Sequence, residues 1–145
     1  QLRNVQQVQA TAGAGSFAAI LSDGSVITWG SPQHGGDSSA VQHQLRNVQQ
    51  VEATFGAFAA ILSDGSVITW GNPQRGGDSS VVQHQLRNVQ QVQASMGAFA
   101  AILSDGSVIT WGNPQCGGDS SIVQHQLRNV QQVQASMGAF AAILS

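Results

Sequence analysis

The sequence predicts an all-β chain, about three and a half blades of a β-propeller built from antiparallel strands. Three observations predict it. The segment Gln-Leu-Arg-Asn-Val-Gln-Gln-Val starts at Gln1, Gln44, Gln85 and Gln126, so the chain repeats at offsets of 43, 41 and 41 residues. Each complete copy holds two apolar runs joined by Asp-Gly, the strongest short-range hairpin signal. Trp29, Trp70 and Trp111 recur at the same place in each copy. The 145 residues therefore read as one repeat domain with repeats 1–43, 44–84 and 85–125 and a half repeat, 126–145.

The elements follow in order within the second repeat. Val48 to Ala53 alternates apolar and polar residues and predicts a first strand. Phe58 to Ser63 and Ser66 to Trp70 predict two more. A two-residue type I′ loop at Asp64-Gly65 would pair Leu62 with Val67, Ile61 with Ile68 and Ala59 with Trp70. Phe58, Ala60, Leu62 and Val67 then share one face; Ala59, Ile61, Ile68 and Trp70 share the other. Both faces are apolar, so each hairpin needs a neighbour on each side. The Ala-rich run suits the narrow inner end of a blade, and a short outer strand is expected near Ser80 to Gln83. Gly, Pro and β-branched residues out of helical phase argue against helix. In the first repeat Thr11 to Phe17 is two residues longer than its later copies, in a Gly-rich connection where insertions are tolerated. A parallel β-helix is the second fold considered. It fits less well, because its coils are shorter and lack a tight hairpin.

Composition excludes several functions. Only 8% of residues are charged, and five Arg stand against seven acids. That cannot neutralise a run of phosphates or form a polybasic membrane patch. The longest apolar runs fall far short of the roughly 20 residues of a membrane helix. Cys116 is the only cysteine, so no internal disulfide is expected, and a reducing compartment, cytoplasmic or organellar, is favoured. The first residue is Gln1, which suggests processing or a piece of a longer chain.

No residue set carries a catalytic, cofactor or metal expectation. His43, His84 and His125 recur once per repeat, at least a blade's thickness apart, too far to share one ion. Asp78-Ser79-Ser80 and its copies suit turns rather than calcium, since the nine-residue calcium repeat is absent. Cys116 lacks an activating partner and is replaced by His34 and Arg75 in the other copies, which a shared mechanism would not allow. No Gly-x-Ser-x-Gly elbow occurs. The differences between copies are the informative positions. Ala40/Val81/Ile122 and Phe55/Met96/Met137 are apolar exchanges expected of a repacked core. His34/Arg75/Cys116 lies in a polar loop beside Pro and is the candidate partner-contact position.

The stretch Gly56-Ala-Phe-Ala-Ala-Ile-Leu-Ser-Asp-Gly-Ser-Val-Ile-Thr-Trp-Gly-Asn72 resembles the RCC1 repeat, the family of the regulator of chromosome condensation. The resemblance covers the whole chain. It takes the form of a short variant similar to predicted dinoflagellate HERC-type or RCC1-like repeat proteins. No Trp-Asp or Gly-His pair marks a WD40 repeat, and no Tyr marks a kelch repeat. Phe58-Ala59 stands where the family often has His-Ser, and Gly76-Gly77-Asp78-Ser79 where it has Gly-Gln-Leu-Gly. The resemblance implies a seven-bladed propeller, in which further repeats or another subunit complete the three and a half blades. It also implies a non-catalytic protein-interaction or scaffold module with protein partners; the charge count and short apolar runs are what argue against nucleic-acid binding and membrane insertion. Two alternatives stand beside it: a regulatory propeller of a larger enzyme, such as a HERC-type ubiquitin ligase or a GTPase exchange factor, and a structural subunit of a large assembly.

Overall fold

The computed structural model describes residues 4–13 and 15–145. Gln1 to Arg3 of the first repeat motif, and Ala14 in the longer connection, lie outside them. The described chain forms four antiparallel sheets in succession. The first holds β1 (Val5–Ala10), β2 (Ser16–Leu21) and β3 (Val26–Gly30). The second holds β4 (Val48–Ala53), β5 (Ala57–Leu62) and β6 (Val67–Gly71). The third holds β7 (Val89–Ala94), β8 (Ala98–Leu103) and β9 (Val108–Gly112). The fourth holds β10 (Val130–Ala135) and β11 (Phe140–Leu144). Each sheet is one blade, and the longer first connection falls between β1 and β2.

Successive blades stack face to face, which is why both faces of each hairpin are apolar. Ala18, Ile20 and Val26 of the first blade meet Val51, Phe58, Ala60 and Trp70 of the second. Ala57, Ala59, Ile61 and Val67 on the second blade's other face meet Val92, Phe99, Ala101 and Trp111 of the third. The first strands approach one another more closely than the third strands do, so β1, β4, β7 and β10 line the inner side. The Ala-rich strand is thus the middle one, not the inner one. Its small side chains let blades press together on both faces.

The hairpin register differs by one residue from the expectation. Ile61 faces Val67, Ala60 faces Ile68, and Phe58 faces Trp70. The loop has three residues rather than two. The N–H of Leu62 donates to the Ser66 carbonyl, and the N–H of Gly65 to the Leu62 carbonyl, both at 2.9 Å. A type I′ loop needs positive φ at both central residues. Gly65 has φ +84°, but Asp64 is not among the positive-φ residues. The Asp64 carboxylate instead accepts from the Ser66 N–H at 2.9 Å and the Ser66 hydroxyl at 2.6 Å. Those donors hold Asp64 below the usual carboxylate range. A side-chain-braced type I turn with Gly65 as its bulge is the result. Phe58, Ala60, Leu62, Ile68 and Trp70 therefore share a face, and Ala59, Ile61, Val67 and Thr69 share the other.

No outer strand forms near Ser80 to Gln83. The segment runs as a turn and a 3-10 turn, Gln83–Gln85. Its side chains take the fourth strand's place. Gln83 Nε2 donates to the Val67 carbonyl at 2.9 Å, and Ser79 Oγ donates to Gln83 Oε1 at 2.7 Å. Thr69 Oγ1 donates to the Gly77 carbonyl at 3.3 Å. The first and third blades repeat the device through Gln42 and Gln124. A second 3-10 turn, Pro73–Arg75, begins at Asn72, whose side-chain oxygen accepts from the Gln74 N–H. Val81 and Ile122 are 84% and 88% exposed on this outer rim, so the Ala40/Val81/Ile122 exchanges lie at the surface and not in the core as expected. Surface positions tolerate such exchanges because no neighbour must adjust.

The end blades depart from the interior ones. Trp70 and Trp111 are buried at 4% exposure, but Trp29 is 36% exposed because no blade among the described residues covers its face. Each hairpin needs a neighbour on each side, and among the described residues Trp29 lacks one. At the other end Ile143 is exposed, whereas Phe140 turns toward the third blade and is half-buried.

Candidate interaction face

At one end of the blades, the β4–β5 connection Thr54 to Gly56 and the 3-10 turn Pro73–Arg75 come together. The Thr54 hydroxyl donates to the Arg75 carbonyl at 2.7 Å, and the Ser95 hydroxyl to the Cys116 carbonyl at 2.6 Å. Behind the turn, the next glycine sits against the following blade. A Cβ on Gly76 would lie 2.6 Å from the Phe99 ring, and its φ is +98°, so only glycine fits. Its carbonyl accepts the Trp111 indole N–H at 3.1 Å.

His34, Arg75 and Cys116 precede these glycines and are half-buried at the seams between blades. A Cβ on Gly56 of the second blade would meet the His34 ring at 2.7 Å. A Cβ on Gly97 of the third would meet Cys116 Sγ and Arg75 Cδ at 3.1 and 3.4 Å. The position is therefore a seam that touches the next blade, not a free loop tip. Ser31 Oγ and His34 Nδ1 are 2.9 Å apart and hydrogen-bonded. The Arg75 guanidinium lies over the Phe55 ring, 5.2 Å from its centroid, in cation–π geometry.

Phe55 leads to a feature that sequence reasoning missed. Phe55, Met96 and Met137 are not core residues; they form a row across this face. The N–H of Phe55 donates to the Met96 carbonyl at 2.7 Å, and the N–H of Met96 to the Met137 carbonyl at 2.8 Å. Backbone bonds thus run from blade to blade and space one apolar side chain per blade. Phe55 and Met96 are half-buried, and Met137 is 71% exposed. With Ala12, Ala53 and Ala135 they line an open depression of about 460 Å³. A signal was available in the sequence: these residues follow the alternating strand, immediately before Gly, where the chain turns at the surface.

The recurring His43, His84 and His125 are exposed, one per blade, in the 3-10 turns before Leu45, Leu86 and Leu127. Among the described residues no three His, Cys, Asp or Glu side chains converge on one point. No helix among them is long and apolar enough to cross a membrane. Asp78 accepts from the Ser80 N–H at 2.9 Å, as expected of a turn.

No protein-family model and no curated protein matches the sequence. Solved structures do match its fold. Human WBSCR16 aligns over 96% of this chain at TM-score 0.61 and 19% identity. Prp20p of Saccharomyces cerevisiae aligns over 97% at 0.64 and 17%. The CRINKLY WD40 ectodomain of the Arabidopsis thaliana receptor kinase ACR4 aligns over 97% at 0.60 and 18%. The chain spans 45%, 42% and 46% of those proteins, less than half of each. Yeast RCC1, which is Prp20, has also been solved bound to Kap60. The fold of this chain is an RCC1-like β-propeller segment.

Proposed function

We propose that this chain is a non-catalytic protein-interaction module, a scaffold whose repeats 1–43, 44–84, 85–125 and 126–145 each contribute to one blade. Its contact face carries His34, Arg75 and Cys116 beside the row Phe55, Met96 and Met137. One observation carries the proposal: in copies otherwise nearly identical, the residues that differ most in chemistry lie next to an open apolar row. Thioethers and an aromatic ring adapt to varied partner surfaces, and Arg and aromatic residues are enriched where interfaces hold most tightly. Among proteins of similar fold, Prp20p is described with binding properties to Gsp1p and histones, and yeast RCC1 with bound Kap60. Protein partners for this chain are inferred by analogy with them.

The sequence has only two methionines, Met96 and Met137. Replacing methionine throughout with a photoreactive analogue therefore labels this face alone. Irradiation should join the chain to a discrete protein, with competition by unlabelled chain and loss on Arg75→Glu. Crosslinks confined to the chain itself, or insensitive to Arg75→Glu, would count against the face.

A further inference from the structure

At the end of the blades opposite Phe55, the turns Asp23-Gly24, Asp64-Gly65 and Asp105-Gly106 each pack on the lead-in to the next blade. The Gly24 carbonyl accepts the Val48 N–H at 2.9 Å, and Gly65 and Gly106 accept from Val89 and Val130 at 2.9 and 2.8 Å. Asn47, Asn88 and Asn129 stand one residue before these valines and take φ +55°, a conformation asparagine tolerates better than most residues. The Asn47 and Asn88 carbonyls accept from Ser63 and Ser104 of their own blades, both at 2.9 Å. Asn47 and Asn88 are therefore each held between two turns, that of the preceding blade and that of their own. The residue before each asparagine is Arg46, Arg87 or Arg128. These arginines and the three turn aspartates are all exposed. The order across this end is thus Asp23, Arg46, Asp64, Arg87, Asp105, Arg128. The row holds three of the chain's five arginines and three of its seven acids. Ser25, Ser66 and Ser107, through the hydroxyl first and the N–H second, hold the three carboxylates below their usual range. No arginine is needed to keep them charged.

We infer that this end is a self-complementary interface, on which a second copy of the chain stacks head to head about a two-fold axis. An axis lying in the face reverses the row. Placed between any aspartate and the arginine beside it, the axis sets every Asp of one copy opposite an Arg of the other. Placed on an aspartate or on an arginine, it opposes like charges, so the charges also fix the register. The alternation recurs with every repeat, and the pairing holds wherever the row begins or stops. A partner of uniform sign, such as a nucleic acid or a polybasic segment, would meet as many like charges as opposite ones. The complement of an alternating row is the same row. Exposed ion pairs are individually weak and are screened by salt, so association rests on several forming together. The face that carries Phe55, Met96 and Met137 lies at the other end and stays free for a different partner.

The sequence has no lysine, which makes the contact readable. Arg46→Lys, Arg87→Lys and Arg128→Lys together keep the charges and supply the only side-chain amines. This variant is mixed with its heavy-isotope-labelled form at low salt and treated with a zero-length carbodiimide, which joins an amine to a carboxylate in contact with it. Cross-links that pair light with heavy chains, between these lysines and Asp23, Asp64 or Asp105, are expected. Sedimentation of the unmodified chain should show a dimer at low salt that is weaker by roughly tenfold or more in about 1 M sodium chloride. Screening does not weaken association through apolar faces, so the salt response separates the two modes. Arg46→Glu, Arg87→Glu and Arg128→Glu together should abolish the low-salt dimer, with an unchanged circular dichroism spectrum showing that the blades stay folded. A monomer at low salt, association that salt leaves unchanged, or undiminished association of the Glu variant would overturn the proposal. So would cross-links confined to chains of one isotope, or mixed-isotope cross-links that reach Asp37, Asp78 or Asp119 instead.

Discussion

The indole N–H of Trp70 donates to the carbonyl of Gly35, 3.0 Å away in the preceding blade. Thirty-five residues separate the two, so the bond ties one blade to the next. The same bond joins Trp111 to Gly76. A buried indole left without its acceptor, or a carbonyl without its donor, costs about 1–3 kcal/mol. Trp70→Phe should keep the stack on Phe58 but lose the bond, and lower stability by about that amount. Denaturant unfolding measures it; an unchanged midpoint would show the bond contributes nothing.

Trp29 has no preceding blade among the described residues and is 36% exposed, against 4% for its two copies. Iodide should quench only part of the emission. Trp29→Phe should remove the quenchable part and shift the remainder to the blue. Quenching of all three indoles alike would contradict the stacking of the interior blades.

Gly65 has φ +84°, and a Cβ there would lie 2.9 Å from the Cα of Asn88 in the next blade. Its carbonyl also accepts the Val89 N–H at 2.9 Å. Gly65→Val must strain the turn and push the blades apart, whereas Ser66→Val only removes a side-chain brace on Asp64. The glycine change should cost more stability, by about 1–3 kcal/mol. Equal melting temperatures for the two variants would refute this.

Glu52 is half-buried on β4, where the other three repeats have Gln9, Gln93 and Gln134. Burial raises its carboxyl above the usual glutamate range, partly offset by the Gln50 amide, which donates to it at 2.6 Å. The folded chain thus holds this proton more tightly than the unfolded chain. Ionisation opposes folding, and this group's contribution to stability falls as pH rises through and just above the usual glutamate range. Glu52→Gln should raise the melting temperature at neutral pH by roughly 1–3 °C. The gain should vanish in acid, below the usual glutamate range. A gain that is the same at both pH values would rule out ionisation as its cause.

Val8 and Phe17 are 51% and 36% exposed on the open face of the first blade, while Val51 and Phe58, their copies in the second, are 0% exposed. Ile143 and Leu144 are also about half exposed at the opposite end. Apolar faces of this kind favour association. Light scattering on the isolated 145 residues should give a mass that rises with concentration, reduced in Phe17→Ser. A concentration-independent monomer would show that the end faces tolerate water.

The repeat period, the positions of the three strands that form each complete blade, the sandwiching of each hairpin and the blade architecture were legible in the sequence. Each is written locally, in the alternation of Val48 to Ala53, the apolar runs on either side of Asp64-Gly65, and the recurring tryptophan. Three features were decided only in the folded chain. The register at Asp64-Gly65 turns on whether Asp64 takes positive φ or accepts two bonds from Ser66, and one residue of shift exchanges the faces. Phe55, Met96 and Met137 look like core in composition, yet backbone bonds between blades hold them at an open surface. Gln83 looks like an outer-strand residue, yet its amide reaches Val67 across 16 residues and caps the edge itself. In each case the outcome depends on a hydrogen-bond partner that a local pattern does not identify, and two of the three partners are distant in the chain.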